Sequence, residues 1–330
     1  MRHMERVIKN KKILVTGGAG FIGSNLIESF LSCGNQVSCL DNFSTGKREN
    51  LKEYMDHPDF RLLEGDIRNY NDCLEAVSDT DIVFHQAALG SVPRSIKDPV
   101  TSTDVNIGGF VKMLFASKEA GVKRFIYAAS SSTYGDHPGL PKVEDRTGKP
   151  LSPYGITKYV DELFAANFAS TYNIEVIGLR YFNVFGRRQD PHGAYAAVIP
   201  LFVKKLMNHE APVVNGNGSF SRDFTYIDNV IQANHLAALA DRQEAINQVY
   251  NVAHGERTDL NTLFELIRDI AGRYDRRVLE IKPVYGPERA GDIPHSLASI
   301  EKAKNLLGYS PTHNVKKGLE EALEWYWENL

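Results

Sequence analysis

The chain has 330 residues, of which 42% are hydrophobic and 24% are charged, and its formal net charge is −3. This balance is ordinary for a globular protein and does not indicate a nucleic-acid-binding surface. No run of about eighteen apolar residues occurs, so we expect no membrane partner. The first residues are polar and basic and lack the apolar stretch of a secretion signal, and the three cysteines show no metal-ligand spacing. We therefore expect a cytoplasmic protein without a metal site.

Strand-like and helix-like segments alternate through the first 180 residues. The predicted strands are 12–16, 36–40, 61–64, 82–85, 124–128 and 175–180, and the predicted helices are 24–33, 105–120 and 159–172. This alternation is typical of a parallel sheet that is covered by helices on both faces. The sequence therefore predicts an α/β fold with a Rossmann-type doubly wound parallel sheet.

The pattern loosens after Arg180. Helices are predicted at 199–208, 229–239, 260–271 and 315–326, and a further strand at 248–252. We predict that residues 1–180 form a dinucleotide-binding domain and that residues 181–330 form a smaller C-terminal α/β substrate-binding lobe. Residues 223–256 are expected to return to the first domain. The lobe should lie over the carboxyl ends of the strands, where open parallel sheets bind their ligands.

A glycine-rich turn, TGGAGFIG at residues 16–23, joins the first predicted strand to the first helix. Such a turn needs residues without a Cβ, and the helix amino end offers free N–H groups to a pyrophosphate. Gly17, Gly20 and Gly23 fit this role, and Asp41 ends the second strand. A carboxylate there can bind the adenosine ribose hydroxyls and would repel a 2′-phosphate, so the sequence indicates NAD.

Tyr154 and Lys158 are four residues apart, so on a helix both side chains share one face. Pro153 suits the start of that helix. A phenol is a poor base at neutral pH because its ordinary pKa is near 10. A neighbouring ammonium and a positive nicotinamide favour the phenolate, which can accept a hydroxyl proton while hydride leaves the same carbon. The pair therefore predicts hydride-transfer chemistry.

A serine-rich segment, ASSSTYG at residues 129–135, follows the strand before this helix. Strand carboxyl ends face the cofactor, so hydroxyl groups here can reach a substrate oxygen. The alternative is a turn in which serines bond their own backbone.

Together these segments resemble the extended short-chain dehydrogenase/reductases and, within them, the nucleotide-sugar 4-epimerases. The resemblance covers nearly all of the chain and rests on TGGAGFIG, LDNFSTG, SSSTYGD, YGITK, LRYFNVFG, SRDFTYIDNV and RAGD. The segments ALGSVPRS, AASSSTYGDHP, RYFNVFGRRQDP and GAYAAVIP are most similar to the bacterial UDP-N-acetylglucosamine 4-epimerases of O-antigen and capsule pathways.

The resemblance implies an isomerase that converts UDP-N-acetylglucosamine to UDP-N-acetylgalactosamine through a 4-keto intermediate. Tyr154 would be the base, Lys158 would hold the nicotinamide ribose, and Ser130 would be the catalytic hydroxyl. The implied NAD-binding residues, besides Tyr154 and Lys158, are Gly17, Gly20, Phe21, Ile22, Gly23, Asp41, Asn42, Ser44, Gly46, Asp66, Ile67, Gln86, Ala87, Ala88 and Asn106.

The implied substrate site contains arginines that would neutralise the diphosphate, Arg222 and Arg289. Ser131 and Ser132 would face the sugar, and Asn183 would meet the sugar or the diphosphate. The remaining implied substrate residues are Ser91, Ala197, Val198, Asn215, Asp292 and Ser296.

Two positions narrow the implied reaction. Ser132 stands where related dehydratases and decarboxylases carry an acidic residue, so elimination at carbons 5 and 6 of the sugar is disfavoured. Ser296 matches a position where glucose-restricted epimerases carry a tyrosine, and a small residue leaves room for an N-acetyl group.

Several alternatives remain open. The sugar could be UDP-N-acetylglucosaminuronic acid or UDP-glucose, or the chain could be a UDP-glucuronate decarboxylase or 4-reductase. A non-catalytic NAD-sensing regulator is the alternative of another class, although such a protein need not keep both Tyr154 and Lys158. The family also implies a homodimer formed through helices 105–120 and 159–172, whose apolar faces could equally pack within one subunit.

Overall fold

The computed structural model describes residues 6–191, 196–288 and 293–329. Its strands are β1 (Lys12–Thr16), β2 (Gln36–Asp41), β3 (Phe60–Glu64), β4 (Ile82–His85), β5 (Arg124–Ser130), β6 (Glu175–Tyr181), β7 (Val184–Phe185), β8 (Val213–Asn215), β9 (Ser221–Arg222), β10 (Thr225–Tyr226), β11 (Gln248–Val252), β12 (Thr258–Asp259) and β13 (Val284–Gly286). Its α-helices are α1 (Phe21–Ser32), α2 (Tyr70–Val77), α3 (Val92–Lys97), α4 (Pro99–Thr103), α5 (Phe110–Glu119), α6 (Pro153–Tyr172), α7 (Val198–Met207), α8 (Ile227–Ala238), α9 (Leu260–Ala271), α10 (Glu301–Leu307) and α11 (Val315–Asn329). A π-helix, Asp104–Gly109, leads into α5, and short 3₁₀ helices lie at Arg48–Tyr54 and Ser131–Tyr134.

Seven parallel strands form the central sheet in the order β11-β6-β5-β4-β1-β2-β3. The strand order reverses between β1 and β4, and this switch point is where doubly wound sheets bind their ligands. The predicted fold class is therefore confirmed.

The sheet is buried on both faces because alternate side chains of its strands enter two separate cores. In β5, Phe125 and Tyr127 pack with α2, α5 and α6, whereas Ile126 packs on the opposite face. Leu14 of β1 packs on the same face of the sheet as Phe125 and Tyr127, and Val15 packs on the opposite face with Ile126. Each face is covered by helices, as expected from the near-continuous apolar runs in these strands.

The C-terminal half adds small two-stranded sheets and a helical layer. β8 pairs with β13, β9 with β12 and β7 with β10, while α9 packs against both α7 and α11. Strand β11 pairs in register with β6 at the edge of the large sheet. No described helix is long and apolar enough to cross a membrane.

The predicted strands agree closely with the structure, but some helix boundaries differ. Helix α1 begins at Phe21 rather than residue 24, and α6 begins at Pro153 rather than residue 159. The Ser152 hydroxyl caps α6 by accepting from the Gly155 N–H at 3.1 Å, which fixes the early start. Helices α2, α3, α4 and α10 and the short strands β7, β8, β9, β10, β12 and β13 are additions to the predicted elements.

Candidate active site

A cleft of about 410 Å³ opens at the carboxyl ends of the central strands. It is lined by every residue of the predicted NAD-binding set except Asn106. Ser130 and Asn183 line the same cleft. The fold thus brings the glycine turn, the Tyr154/Lys158 pair and one predicted substrate residue onto one surface.

The glycine turn fits a dinucleotide because its backbone leaves no room for side chains. Gly17 has a φ of +66°, and a Cβ there would lie 2.7 Å from the backbone of Ala87. A Cβ on Gly23 would lie 2.2 Å from the Gly17 carbonyl oxygen. Gly20 precedes α1, and no side chain caps this helix end. The free N–H groups of the first helical turn can therefore receive a pyrophosphate.

Carboxylates gather where β2 and β3 end at the cleft. Asp41 accepts hydrogen bonds from the N–H groups of Ala19 at 2.9 Å and Phe43 at 2.8 Å. Burial raises its pKa, and these two N–H groups oppose the rise. Each oxygen keeps a lone pair for a ribose hydroxyl. The Asn42 amide donates to Asp66 at 2.8 Å, and Arg68 lowers the pKa of Asp66 to about 2.

Tyr154 and Lys158 lie on the first turns of α6 with their side chains on the cleft wall. The Tyr154 N–H donates to the Ser95 hydroxyl at 3.0 Å, which ties the helix start to α3. Lys158 is only 3% exposed, and its Nζ lies 3.2 Å from Oδ2 of Asp161. Burial lowers the pKa of His85 to about 3, and the positive charge of Lys158 adds to this effect. His85 is therefore neutral beside the pair.

Asn106 supports the cleft from behind. It is buried, accepts from the Leu89 N–H at 2.8 Å, and donates to the Thr157 hydroxyl at 3.0 Å. It therefore joins the loop after β4 to helix α6 and does not line the cleft.

The serine segment shows both of its expected features. The Ser130 hydroxyl accepts from the Ser132 N–H at 3.2 Å and bonds the Ser132 hydroxyl at 2.7 Å. Ser130 also lines the cleft, but Ser131 and Ser132 are not among the lining residues.

The predicted substrate residues are spread over several elements. Asn183 lines the cleft with a φ of +36°, and its amide donates to the Asp223 carbonyl at 2.9 Å. Ser91 caps α3 by accepting from the Arg94 N–H. Asn215 ends β8, and Ala197 and Val198 begin α7.

A second group forms around β9. The Ser296 N–H donates to the Ser221 carbonyl at 3.0 Å, and the Arg222 guanidinium donates to the carbonyls of Ser221 and Pro294. The backbone thus brings Arg222 and Ser296 together. Arg289 and Asp292 lie outside the described residues.

A strap of residues 186–190, which sequence reasoning missed, lies along the cleft. Arg188 bonds Glu28 of α1 at 2.6 Å and the Tyr54 hydroxyl at 3.0 Å. Asp190 pairs with Lys47 at 3.0 Å. Lys47, Arg188 and Asp190 all line the cleft. The consecutive arginines of the sequence were the one available signal, but their partners are distant in the chain.

Comparison with known proteins places this architecture in a family. Residues 13–253 match the model of the "NAD dependent epimerase/dehydratase family". The chain belongs to this family. NAD is therefore its cofactor, and the resemblance found in the sequence is confirmed.

Relatives match the chain along nearly its whole length. A putative UDP-glucose 4-epimerase of Methanocaldococcus jannaschii is 34% identical over 96% of this chain and 99% of its own. A UDP-N-acetylglucosamine 4-epimerase from Methanobrevibacter ruminantium, solved with UDP-N-acetylmuramic acid, is 38% identical with a TM-score of 0.91, covering 98% and 100% of the two chains. A UDP-glucose 4-epimerase from Thermotoga maritima, solved with UDP-glucose, is 36% identical with a TM-score of 0.88, covering 96% and 99%.

The glycine turn generates a prediction about cofactor retention. A Cβ on Gly20 would meet only the Gly17 carbonyl oxygen, at 3.2 Å, so Gly20→Ala should fold but crowd the pyrophosphate. We expect NAD affinity to fall by about tenfold, which corresponds to about 1.4 kcal/mol. Gly23→Ala should lose both NAD and thermal stability, because its clash is with backbone. Bound NAD per chain and Tm would be measured, and full NAD content in Gly23→Ala would contradict this account.

Proposed function

We propose that this chain interconverts UDP-N-acetylglucosamine and UDP-N-acetylgalactosamine by epimerisation at C4, with NAD as its resident cofactor. The observation that carries the proposal is that Tyr154, Lys158 and Ser130 share one cleft with the glycine turn. A dinucleotide laid from that turn along the strand ends would bring its reactive ring toward these side chains.

The residues of the chain have distinct tasks in this reaction. When bound, NAD supplies a reversible hydride acceptor. Tyr154 accepts the proton of the 4-hydroxyl during oxidation and returns it during reduction. Lys158 would hold the nicotinamide ribose, and Ser130 would donate a hydrogen bond to the sugar oxygen. Rotation of the 4-keto sugar within the cleft presents its other face for reduction.

The substrate side of the proposal depends on how the nucleotide is anchored. We assign Arg222, together with Arg289, to the diphosphate, because guanidinium groups bind phosphate oxygens in a fork. Asn183 extends from the cleft toward β9 through its bond to Asp223. We also propose the division at residue 180, in which the C-terminal lobe contributes these anchors while residues 223–256 belong with the NAD-binding domain.

The N-acetyl group is the finer part of the proposal. Ser296 is half-buried and joined by its backbone to β9, next to Arg222. A serine here leaves volume that a tyrosine would fill. UDP-glucose is the second candidate substrate, because two of the compared proteins are named UDP-glucose 4-epimerases. A purely regulatory NAD-binding role is disfavoured because both reactive side chains line the cleft.

The activity can be tested directly. Purified protein is incubated with UDP-N-acetylglucosamine, UDP-glucose and their uronates, without added cofactor, and inversion at C4 is read from sugar-ring couplings by NMR. Tyr154→Phe should keep bound NAD but lower kcat by about a hundredfold or more, because the proton acceptor is lost.

Tyr172→Phe is the matched control for this test. Tyr172 lies in the last turn of the same helix and is exposed. It is not among the residues that line the cleft. We expect wild-type turnover from it. A fully active Tyr154→Phe protein would rule out the assigned base.

The size of residue 296 should set the choice between sugars. Ser296→Tyr is expected to lower kcat/KM for UDP-N-acetylglucosamine by about tenfold or more while changing that for UDP-glucose little. Ser310→Tyr, at an exposed position, serves as a control for the added ring. Equal losses on both sugars would argue against a role for Ser296 in selecting the N-acetyl group.

We further propose a homodimer. Exposed apolar side chains occur on three helices that contact one another, with Ile96 on α3 63% exposed, Val100 on α4 78% exposed and Leu163 on α6 54% exposed. Such a patch favours burial against a second copy. It includes Leu163 of the predicted segment 159–172. On α5, Phe110, Met113 and Leu114 are buried within the chain, and Val111 and Phe115 are partly buried.

The apolar patch predicts the effect of a charge. Leu163→Asp should convert a dimer to a monomer, because an unpaired carboxylate would be buried at the interface. Leu279→Asp, at an apolar position in the other half of the chain that is 43% exposed, should leave the assembly unchanged. Light scattering after size exclusion measures both masses. An unaltered mass for Leu163→Asp would place the interface elsewhere.

A further inference from the structure

Asp161 lies three residues after Lys158 on helix α6. It is fully buried, and its Oδ2 is 3.2 Å from the Lys158 Nζ. Lys158 itself lines the cleft, but Asp161 does not. Any effect of this carboxylate on the reaction must therefore pass through the lysine.

The position of Asp161 is costly for a carboxylate. Within the described residues, Oδ1 has no hydrogen-bond partner, and the only hydrogen bond of the side chain is to Lys158. Burial raises the pKa of Asp161 to about 7; the Lys158 ammonium opposes this rise, and the Glu162 carboxylate adds to it. An apolar residue would avoid this cost, because half-satisfied buried charges destabilise a fold. The presence of a carboxylate at position 161 is thus better explained by its contact with Lys158 than by a role in packing.

The other ionisable groups around Lys158 and Asp161 are either paired elsewhere or neutral. Glu162, on the same helix, is bound by Arg180 of β6 through both oxygens. Tyr127 of β5 is fully buried, and burial raises its pKa well above the usual value. His85 of β4 stays neutral, as described above. None of these groups replaces Asp161 as the counter-charge of the lysine.

We propose that Asp161 is a positioning residue whose carboxylate holds the Lys158 ammonium at the cleft wall. This role rests on the proposed function, because it requires Tyr154 and Lys158 to be the reactive pair. Without the carboxylate, a nearly buried ammonium has lost its only described ion-pair partner and gives up its proton more readily. Turnover should then fail at a lower alkaline pH.

The test is the pH dependence of kcat/KM for C4 inversion, together with bound NAD and Tm. Asp161→Asn keeps the shape of the side chain but removes its charge. We expect the alkaline limb to move by about 1 pH unit or more to lower pH, while KM at neutral pH and NAD content change little. Asp161→Leu gives the same readout if the amide is not tolerated. Asp161→Glu restores the charge and should return the limb toward its wild-type position.

Glu162→Gln is the matched control, because it removes the neighbouring carboxylate whose partner is Arg180. It should lower Tm but move the alkaline limb less than half as far as Asp161→Asn. An unmoved limb in Asp161→Asn, or an equal shift in Glu162→Gln, would overturn the role of Asp161 and leave the proposed function intact. Wild-type protein that inverts no UDP-sugar, or an active Tyr154→Phe variant, would overturn the proposed function and this assignment together.

Discussion

The close approach of two backbone segments at the centre of the sheet determines the site. Gly17 turns away from β1 with a positive φ and passes so near the backbone of Gln86 and Ala87 that no side chain fits between them. This contact joins the ends of β1 and β4 at the switch point and leaves the amino end of α1 open beside them. The cleft and its glycine turn follow from that arrangement, since both lie at these strand ends.

Much of the fold could be predicted because its signals are local. Strands such as Ile82–His85 and Gln248–Val252 are short segments rich in β-branched and aromatic residues, and the structure reproduces their limits. The helices between residues 92 and 103 are too short for periodicity to detect. Their signals were instead caps, since Ser91 and Asp98 accept N–H groups and a proline follows each within two residues. Similarly, the serine cap before Pro153 fixes where α6 begins.

The site divides in the same way between local and distant information. The glycine turn, Asp41 and the Tyr154/Lys158 pair each depend on residue spacing within one or two elements. The sequence pattern is therefore enough to identify them as site residues. The strap depends on contacts between Arg188 and Glu28 and between Lys47 and Asp190, which join residues far apart in the chain. Likewise, no spacing shows that Asn106 serves the loop after β4 and lies behind the cleft. Such pairings exist only once the sheet order is known.

Two adjacent carboxylates on α6 show how different demands can be met by neighbouring residues. Glu162 is held by both nitrogens of the Arg180 fork, and that guanidinium also bonds the Glu144 carbonyl and stacks over Tyr134, so its charge is satisfied as part of the core. Asp161 makes one longer contact and leaves an oxygen without a partner. A carboxylate that served packing alone would be expected to resemble the first arrangement, since complete hydrogen bonding is what offsets the burial of charge. The Asp161 carboxylate, with its incomplete hydrogen bonding, contacts Lys158, the only buried ammonium on the cleft wall within the described residues. Because the two carboxylates differ in this way, we interpret Glu162 as structural and Asp161 as functional.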